Sequence, residues 1–550
     1  MFNAADVLQP SFIEQPLDRL WALISPHYAV DESEWLAQLI PLATPSLQEH
    51  LDMDQHATAL IARVRADKNA IQMIDALLLE YSLDTKEGVL LMCLAEALMR
   101  IPDTATADAL IRDKLSVGDW KSHLKHSDSL FVNASTWGLM LTGKVVGLEI
   151  SKDGSATDVI NRLVNKMSEP VIRQAMHQAM KIMGHQFVLG RDITEAMKQG
   201  QLKRDQGFSY SFDMLGEAAL TADDTTKYYQ DYMTAIVAVG RDSYSTIDGA
   251  LHHSLNSTVS IKLSALHPRY DVANTERVVT EMYDALLSLL CCAREHNVGI
   301  TIDAEEADRL ELSLLLFQKL YQSPQLQGWG QFGIVVQAYS KRALAVLAWV
   351  AALAKKQGDS IPLRLVKGAY WDSELKISQQ GGYSAYPVFT RKEATDTSYL
   401  ACARLLLSPA LNGVIYPQFA THNAHTVSAI VAMATTHDKF EFQRLHGMGD
   451  ALYNHAMAMH NIAVRIYAPV GSHKDLLPYL VRRLLENGAN SSFVHRLVDA
   501  DCPIETLIEH PVDTLKKRST LHNSLIPLPP DIFGDTRRNS VAINIDIESQ

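Results

Sequence analysis

The chain is short of cysteine: five in 550 residues, at Cys93, Cys291, Cys292, Cys402 and Cys502, with no CxxC spacing. That argues against a disulfide framework and predicts a reduced, cytoplasmic setting. Positive charge is also scarce. A net charge of −13 and the lack of a basic arm predict no DNA partner. The longest apolar run, Ala343–Ala354, falls short of the roughly 20 residues a bilayer span needs. Between Lys341–Arg342 and Lys355–Lys356 it reads as a buried helix of a barrel. The N-terminus lacks the basic and apolar regions of a signal peptide. No GxGxxG or P-loop follows any strand-like run, which weakens dinucleotide-fold and NTPase readings. His422 and His425 have no suitably spaced carboxylate or cysteine to complete a metal site, so no metal is expected.

Length sets the organisation. A chain of 550 residues exceeds one compact core, so more than one domain is expected. From Leu17 to about Gly190 the apolar spacing is helical, as in Met73, Ile74, Leu77 and Leu78, and Asp84–Glu87 resembles a helix start. The expected division is a helical arm over 1–75 and a helical domain over 76–190. A barrel over 191–525 and a tail or linker over 526–550 complete it.

After Arg191, eight β-like runs alternate with helical segments: Tyr210–Met214, Val259–Leu263, Gly299–Asp303, Gly333–Gln337, Pro362–Val366, Tyr416–Thr421, Glu441–Leu445 and Val464–Tyr467. The pattern is α/β and predicts a (βα)8 TIM-type barrel behind an all-helical N-terminal part. Side chains alternate faces along a strand. Val259, Ile261 and Leu263 therefore oppose Ser260 and Lys262, Ile300 and Ile302 oppose Thr301 and Asp303, and Leu363 and Leu365 oppose Arg364. Val464 and Ile466 likewise oppose Arg465 and Tyr467. The apolar sets suit the helix layer. The polar sets face inward near the C-terminal strand ends, where barrel active sites lie. A guanidinium on a strand buried on both faces needs a partner, so Arg364 should meet an anion, a cofactor heteroatom or a carboxylate. Lys367, Gly368 and Ala369 follow it and offer unobstructed backbone N–H groups. Beyond the eighth run, Leu476, Leu477, Leu480, Val481, Leu484 and Leu485 form one apolar helix face, with Tyr479, Arg482, Arg483 and Glu486 opposite.

Several long runs occur together: Phe212–Leu220 (FDMLGEAAL), Ser260–Tyr270 (SIKLSALHPRY), Ile302–Arg309 (IDAEEADR) and Leu363–Trp371 (LRLVKGAYW). They are followed by Phe419–His425 (FATHNAH), Phe442–Met448 (FQRLHGM), Arg465–Gly471 (RIYAPVG) and Tyr479–Gly488 (YLVRRLLENG). In this order they resemble the proline dehydrogenase half of the bacterial proline utilisation A family. Phe131–Gly138 (FVNASTWG) extends the resemblance into the helical part. It departs from the family in two ways: neither a ribbon-helix-helix arm nor an aldehyde dehydrogenase half is recognisable.

The resemblance implies a distorted barrel with non-covalent FAD, oxidising L-proline to Δ1-pyrroline-5-carboxylate and passing electrons to a membrane quinone. A peripheral contact at the inner membrane face would follow. It places Arg364 near the flavin, with Gln337, Val366, Gly368, Ala369 and Trp371 along it. Thr390, Arg391, Lys392, Thr421, His422, Asn423, Gln443, Arg444, Glu486 and Phe493 hold the remainder. Lys262, Asp303, Tyr370, Leu445, Tyr467, Arg482 and Arg483 form the proline pocket, and Glu217 pairs with one of the tandem arginines. The alternatives are another FAD barrel, such as a folate reductase, and a non-catalytic barrel.

Overall fold

The computed structural model describes residues 2–67, 101, 103, 105–106, 109–110, 187–241, 256–435, 437, 439–471, 479, 496–497, 499 and 502–550. The expected helix start at Asp84–Glu87, the leucine face from Leu476 to Leu485, and Arg482, Arg483, Glu486 and Phe493 lie outside these residues.

Eight parallel strands close in sequence order into one barrel. They are β1 (Ser209–Met214), β2 (Thr258–Ile261), β3 (Gly299–Ile302), β4 (Phe332–Gln337), β5 (Ile361–Val366), β6 (Ile415–Ala420), β7 (Glu441–Leu445) and β8 (Ala463–Val470). Closure comes from β1 on β8, with Ser211 opposite Tyr467 and Asp213 opposite Pro469. The expected alternation holds: Val259, Ile261, Ile300, Ile302, Leu363, Leu365, Val464 and Ile466 are all buried apolar core. Each such side chain contributes roughly 1.5–3 kcal/mol when removed from water.

One expectation needs correcting. Arg465 was placed near the C-terminal end of its strand, but β8 continues to Val470 and leaves Arg465 in its lower half. The proline in Ala468–Val470 reads as a strand stop. In the barrel that stretch nevertheless pairs with β1 through Met214.

The run Ala343–Ala354 is a helix (Ala343–Gln357) in which each of those twelve residues is buried, and Gly358 ends it in the left-handed conformation at φ 69°. Among the described residues no helix is long and apolar enough to cross a membrane. The N-terminal part supplies α1 (Leu17–Trp21), α2 (Glu32–Ala43) and α3 (Leu47–Ala66). A capping box between Ser46 and Glu49 starts α3. α1 packs on the buried helix, its Trp21 ring 5.3 Å from Trp349, while α2 and α3 lie on the helices Lys392–Leu406 and Ala424–Met433. The last residues pack as well: Asn544 donates to Tyr28 and Asp308 at 2.8 Å each, and Ser549 bonds Ser25.

Candidate active site

The inward residues of five strands converge at the mouth. Arg364 on β5 donates from one terminal nitrogen to Asp303 Oδ1 at 2.8 Å. Its other terminal nitrogen reaches Ser211 Oγ on β1 at 3.0 Å and Ser260 Oγ on β2 at 3.1 Å. Lys262, just past β2, donates to Asp213 at the end of β1 and to Asp303 Oδ2 at 3.4 Å. Tyr467 on β8 donates to Asp303 Oδ2 at 2.7 Å, and its ring lies 5.0 Å under the Arg364 guanidinium. Of the partners expected for Arg364, an anion, a cofactor heteroatom or a carboxylate, the contact here is a carboxylate, Asp303.

Both cations and both carboxylates are buried, so charge is conserved inside the barrel only because it is balanced. Burial works against the Lys262 ammonium, but the Asp213 and Asp303 carboxylates outweigh it and hold the group well above its usual range. Burial, reinforced by Asp213 and Asp303, likewise keeps the Tyr467 phenol protonated far above its usual range. Tyr467 is therefore a donor to Asp303, not a phenolate.

The β4 and β5 ends form one side of the rim. Gln337 donates to Glu305 O at 2.8 Å and accepts from Ala369 N at 3.3 Å. Val366 is half-buried, while Gly368 and Ala369 are exposed, unlike the strand they continue. Gly368 sits at φ 140°, and a Cβ there would meet the Tyr339 ring at 2.4 Å, so the turn needs glycine. Trp371 donates its indole N–H to Phe389 O at 2.8 Å, fixing the half-buried ring next to half-buried Tyr370.

The β6 and β7 ends form another side. His422 Nε2 accepts from Leu445 N at 3.1 Å, Asn423 caps the helix Ala424–Met433, and buried Thr421 precedes them. Gln443 donates to Glu441 at 2.8 Å. Glu217 is half-buried in the loop after β1.

Four expected flavin contacts point elsewhere. The Arg444 guanidinium faces away from Gln443 and bonds Met448 O at 2.9 Å and Asp450 at 2.8 Å. Thr390 is buried on the arm side, bonded through backbone and hydroxyl to Glu32 of α2 at 2.8 and 3.0 Å. Arg391 donates to His522 O at 2.9 Å, while exposed Lys392 lies 3.1 Å from Asp396. Lys367 also turns outward and pairs with Asp396. Asp213, Ser211 and Ser260 carried no expected role. Parity along SYSFDM, which sets Ser211 and Asp213 against buried Phe212, is the signal that would have found the first two.

Polar capacity is left over at this mouth. Among the described residues Arg364 Nε, Gln418 Oε1 and Gln443 Oε1 are buried without a hydrogen-bond partner. Unspent donors and acceptors beside an exposed glycine turn fit a bound polar heterocycle with a phosphate tail, as FAD would be. Among the described residues no cluster of histidine, cysteine or carboxylates could hold a metal.

The family model described as Proline dehydrogenase matches residues 196–496. This chain belongs to the proline dehydrogenase family. It is 47% identical over 543 residues to the Bifunctional protein PutA of Escherichia coli K12, covering 95% of this chain and 40% of that protein. The Rhizobium meliloti PutA is 46% identical over 545 residues, with 97% and 43% covered. The chain thus spans about two fifths of the length of these curated relatives. Proline dehydrogenase 1 of Bacillus subtilis is 28% identical over 313 residues, which is 88% of its own length. A crystal structure of Bradyrhizobium japonicum Proline Utilization A, a mutant, is 45% identical with a TM-score of 0.73, covering 95% of this chain and 52% of that one.

Family membership places the chain with proline dehydrogenases rather than with folate-reducing barrels. A second model, described as the DNA-binding domain of Proline dehydrogenase, matches residues 73–187. That description bears against the expectation of no DNA partner.

Proposed function

We propose that the mouth oxidises L-proline to Δ1-pyrroline-5-carboxylate with FAD, and that the electrons pass on to a membrane quinone. The observation that supports it is the buried, charge-balanced cluster of Lys262, Asp303, Arg364 and Tyr467 at the C-terminal end of a proline dehydrogenase barrel. FAD, when bound, supplies the acceptor for the hydride that leaves proline C5. Arg364, Gln337, Val366, Gly368, Ala369, Trp371, Thr421, His422, Asn423 and Gln443 would hold it.

The chain's own work is binding and orientation. Lys262 offers its ammonium to the substrate carboxylate, and Arg482 and Arg483 would clamp it from above with planar forks that match it. Tyr467, Tyr370 and Leu445 would pack against the ring and exclude water. Asp303 locks Arg364 and Tyr467 in place before substrate arrives. Loss of hydride from C5 forms the C=N bond with the nitrogen lone pair, so proline reacts with its amine unprotonated.

Proline-dependent reduction of a dye acceptor, with the imine trapped as a coloured adduct, tests this reading. A flavin-loaded protein that reduces the dye without forming the adduct would contradict it. For DNA, the net charge of −13 favours no sequence-specific binding despite the description of the 73–187 match. A gel shift that survives competitor DNA at physiological salt would overturn this part.

A further inference from the structure

Asp213 is a carboxylate of the mouth with no part yet in the proposed chemistry, and its geometry differs from that of its neighbours. It is the penultimate residue of β1, is 1% exposed, and takes the closest contact of the Lys262 ammonium. The other two contacts of that ammonium, to Asp303 Oδ2 and to the Tyr467 oxygen, are both 3.4 Å, at the outer limit of a hydrogen bond. Asp303 is also engaged elsewhere: Arg364 holds one oxygen at 2.8 Å and Tyr467 the other at 2.7 Å. It is a shared acceptor and cannot by itself fix the lysine.

The Lys262 ammonium therefore has one firm tether and two loose ones. A carboxylate entering from the mouth would replace a loose contact, while the firm one keeps the ammonium in place. We propose that Asp213 is a positioning residue of the proline site, anchoring Lys262 so that its two long contacts are exchanged for the substrate carboxylate. The inference rests on the proposed proline oxidation and assigns a residue within it.

The charged and titratable groups facing Lys262 are Asp213 from β1, Asp303 after β3, Arg364 from β5 and Tyr467 from β8. Tyr232 completes the set among the described residues, from the helix Ala222–Arg241; its hydroxyl accepts the Lys262 backbone N–H at 3.1 Å. Two carboxylates balance two cations. With Asp213 neutral, burial acts on Lys262 against a smaller counter-charge, so its proton is lost at lower pH.

The test uses flavin-loaded protein in four forms: wild type, Asp213→Asn, Lys262→Met and the double variant. Asp213→Asn should raise KM for proline about tenfold or more with a smaller change in kcat. It should also move the alkaline limb of kcat/KM down by about one pH unit or more. On a Lys262→Met background the same substitution should change kcat/KM less than about threefold, because the residue acts through the lysine. A merely structural counter-ion would move stability and flavin content, but not the KM for proline. Unchanged KM and limb, or an undiminished effect without the lysine, would overturn the assignment.

If Asp213→Asn does not fold, the double variant decides, since it removes both charges. Equality with Lys262→Met in KM and pH profile supports the proposal, and a difference beyond about threefold refutes it. Failure of the underlying reading shows separately, as wild type that does not oxidise proline. The assignment is then tested by calorimetric binding of L-tetrahydro-2-furoate, a ring carboxylate with no amine to oxidise. Asp213→Asn should weaken that binding about tenfold, and equal affinity would contradict the assignment.

Discussion

Two layers of buried charge share this barrel, and they differ in what they leave unspent. In the lower layer Arg465 meets Glu441 with a fork, Nε to Oε1 at 2.7 Å and a terminal nitrogen to Oε2 at 3.0 Å. Its third nitrogen bonds Tyr210 O and Asn256 O at 3.2 and 2.6 Å. Gln443 and Tyr416 donate to the same carboxylate. In the upper layer Arg364 keeps an unpartnered Nε among the described residues, and two of the Lys262 contacts are stretched to 3.4 Å. Burial and charge are alike in the two layers. The two guanidiniums differ in residual hydrogen-bonding capacity: every Arg465 nitrogen is bonded, and among the described residues Arg364 Nε is not.

The largest effect should come from breaking the Arg465–Glu441 pair. Glu441→Ala strands a fully buried guanidinium and should cost about 3–5 kcal/mol of stability. Replacing both partners with apolar residues, Glu441→Leu with Arg465→Met, should cost much less, because no uncompensated charge remains. Denaturant unfolding of the three proteins measures this. Equal losses in the single and the double variant would mean that the fork itself, not its saturation, carries the stability.

The opposite signature is expected of the tandem arginines. Arg482→Met or Arg483→Met should lower kcat/KM for proline by roughly 30- to several-thousand-fold, the equivalent of about 2–5 kcal/mol for removing one side of a hydrogen-bonded charge pair. Unfolding midpoints and FAD content should shift little. Near-wild-type kcat/KM in both variants would make those arginines a solvated face.

Glu374 gives a smaller, pH-dependent contrast. Burial raises its carboxyl to about 7, with backbone N–H donation from Ala307 acting the other way. The unfolded chain releases that proton near the ordinary carboxyl range. The folded chain therefore binds more protons between about pH 4.5 and 7, and stability falls as pH rises through that window, by up to about 3 kcal/mol. Glu374→Gln keeps the acceptor for Ala307 and should flatten that slope. An unchanged slope would place the titration elsewhere.

The same contrast explains what the sequence could tell. Strand positions were legible because alternation is a local property: Ile300 and Ile302 oppose Thr301 within four residues. Which polar inward residue belongs to which layer was not. That depends on strand length and register, and Arg465 fell to the lower layer when β8 ran through Pro469 to Val470. Arg364, Lys262, Asp303 and Tyr467 were all placed inward from parity, and they converge in direct contact. Asp213 escaped notice because its run reads as an ordinary strand end until Lys262 is seen beside it. The outward turn of the Arg444 guanidinium is readable from its opposition to Gln443. The bonds that hold it, to Met448 O and Asp450, come from the turn that follows and need the fold.

Anaerobic titration of the purified, flavin-containing protein with L-proline, followed by visible absorbance, tests the central claim most directly. The oxidised flavin band should bleach in proportion to proline added when no electron acceptor is present. A fully loaded protein whose flavin band stays unchanged at saturating proline, while dithionite still bleaches it, would contradict the assignment of this mouth to proline oxidation.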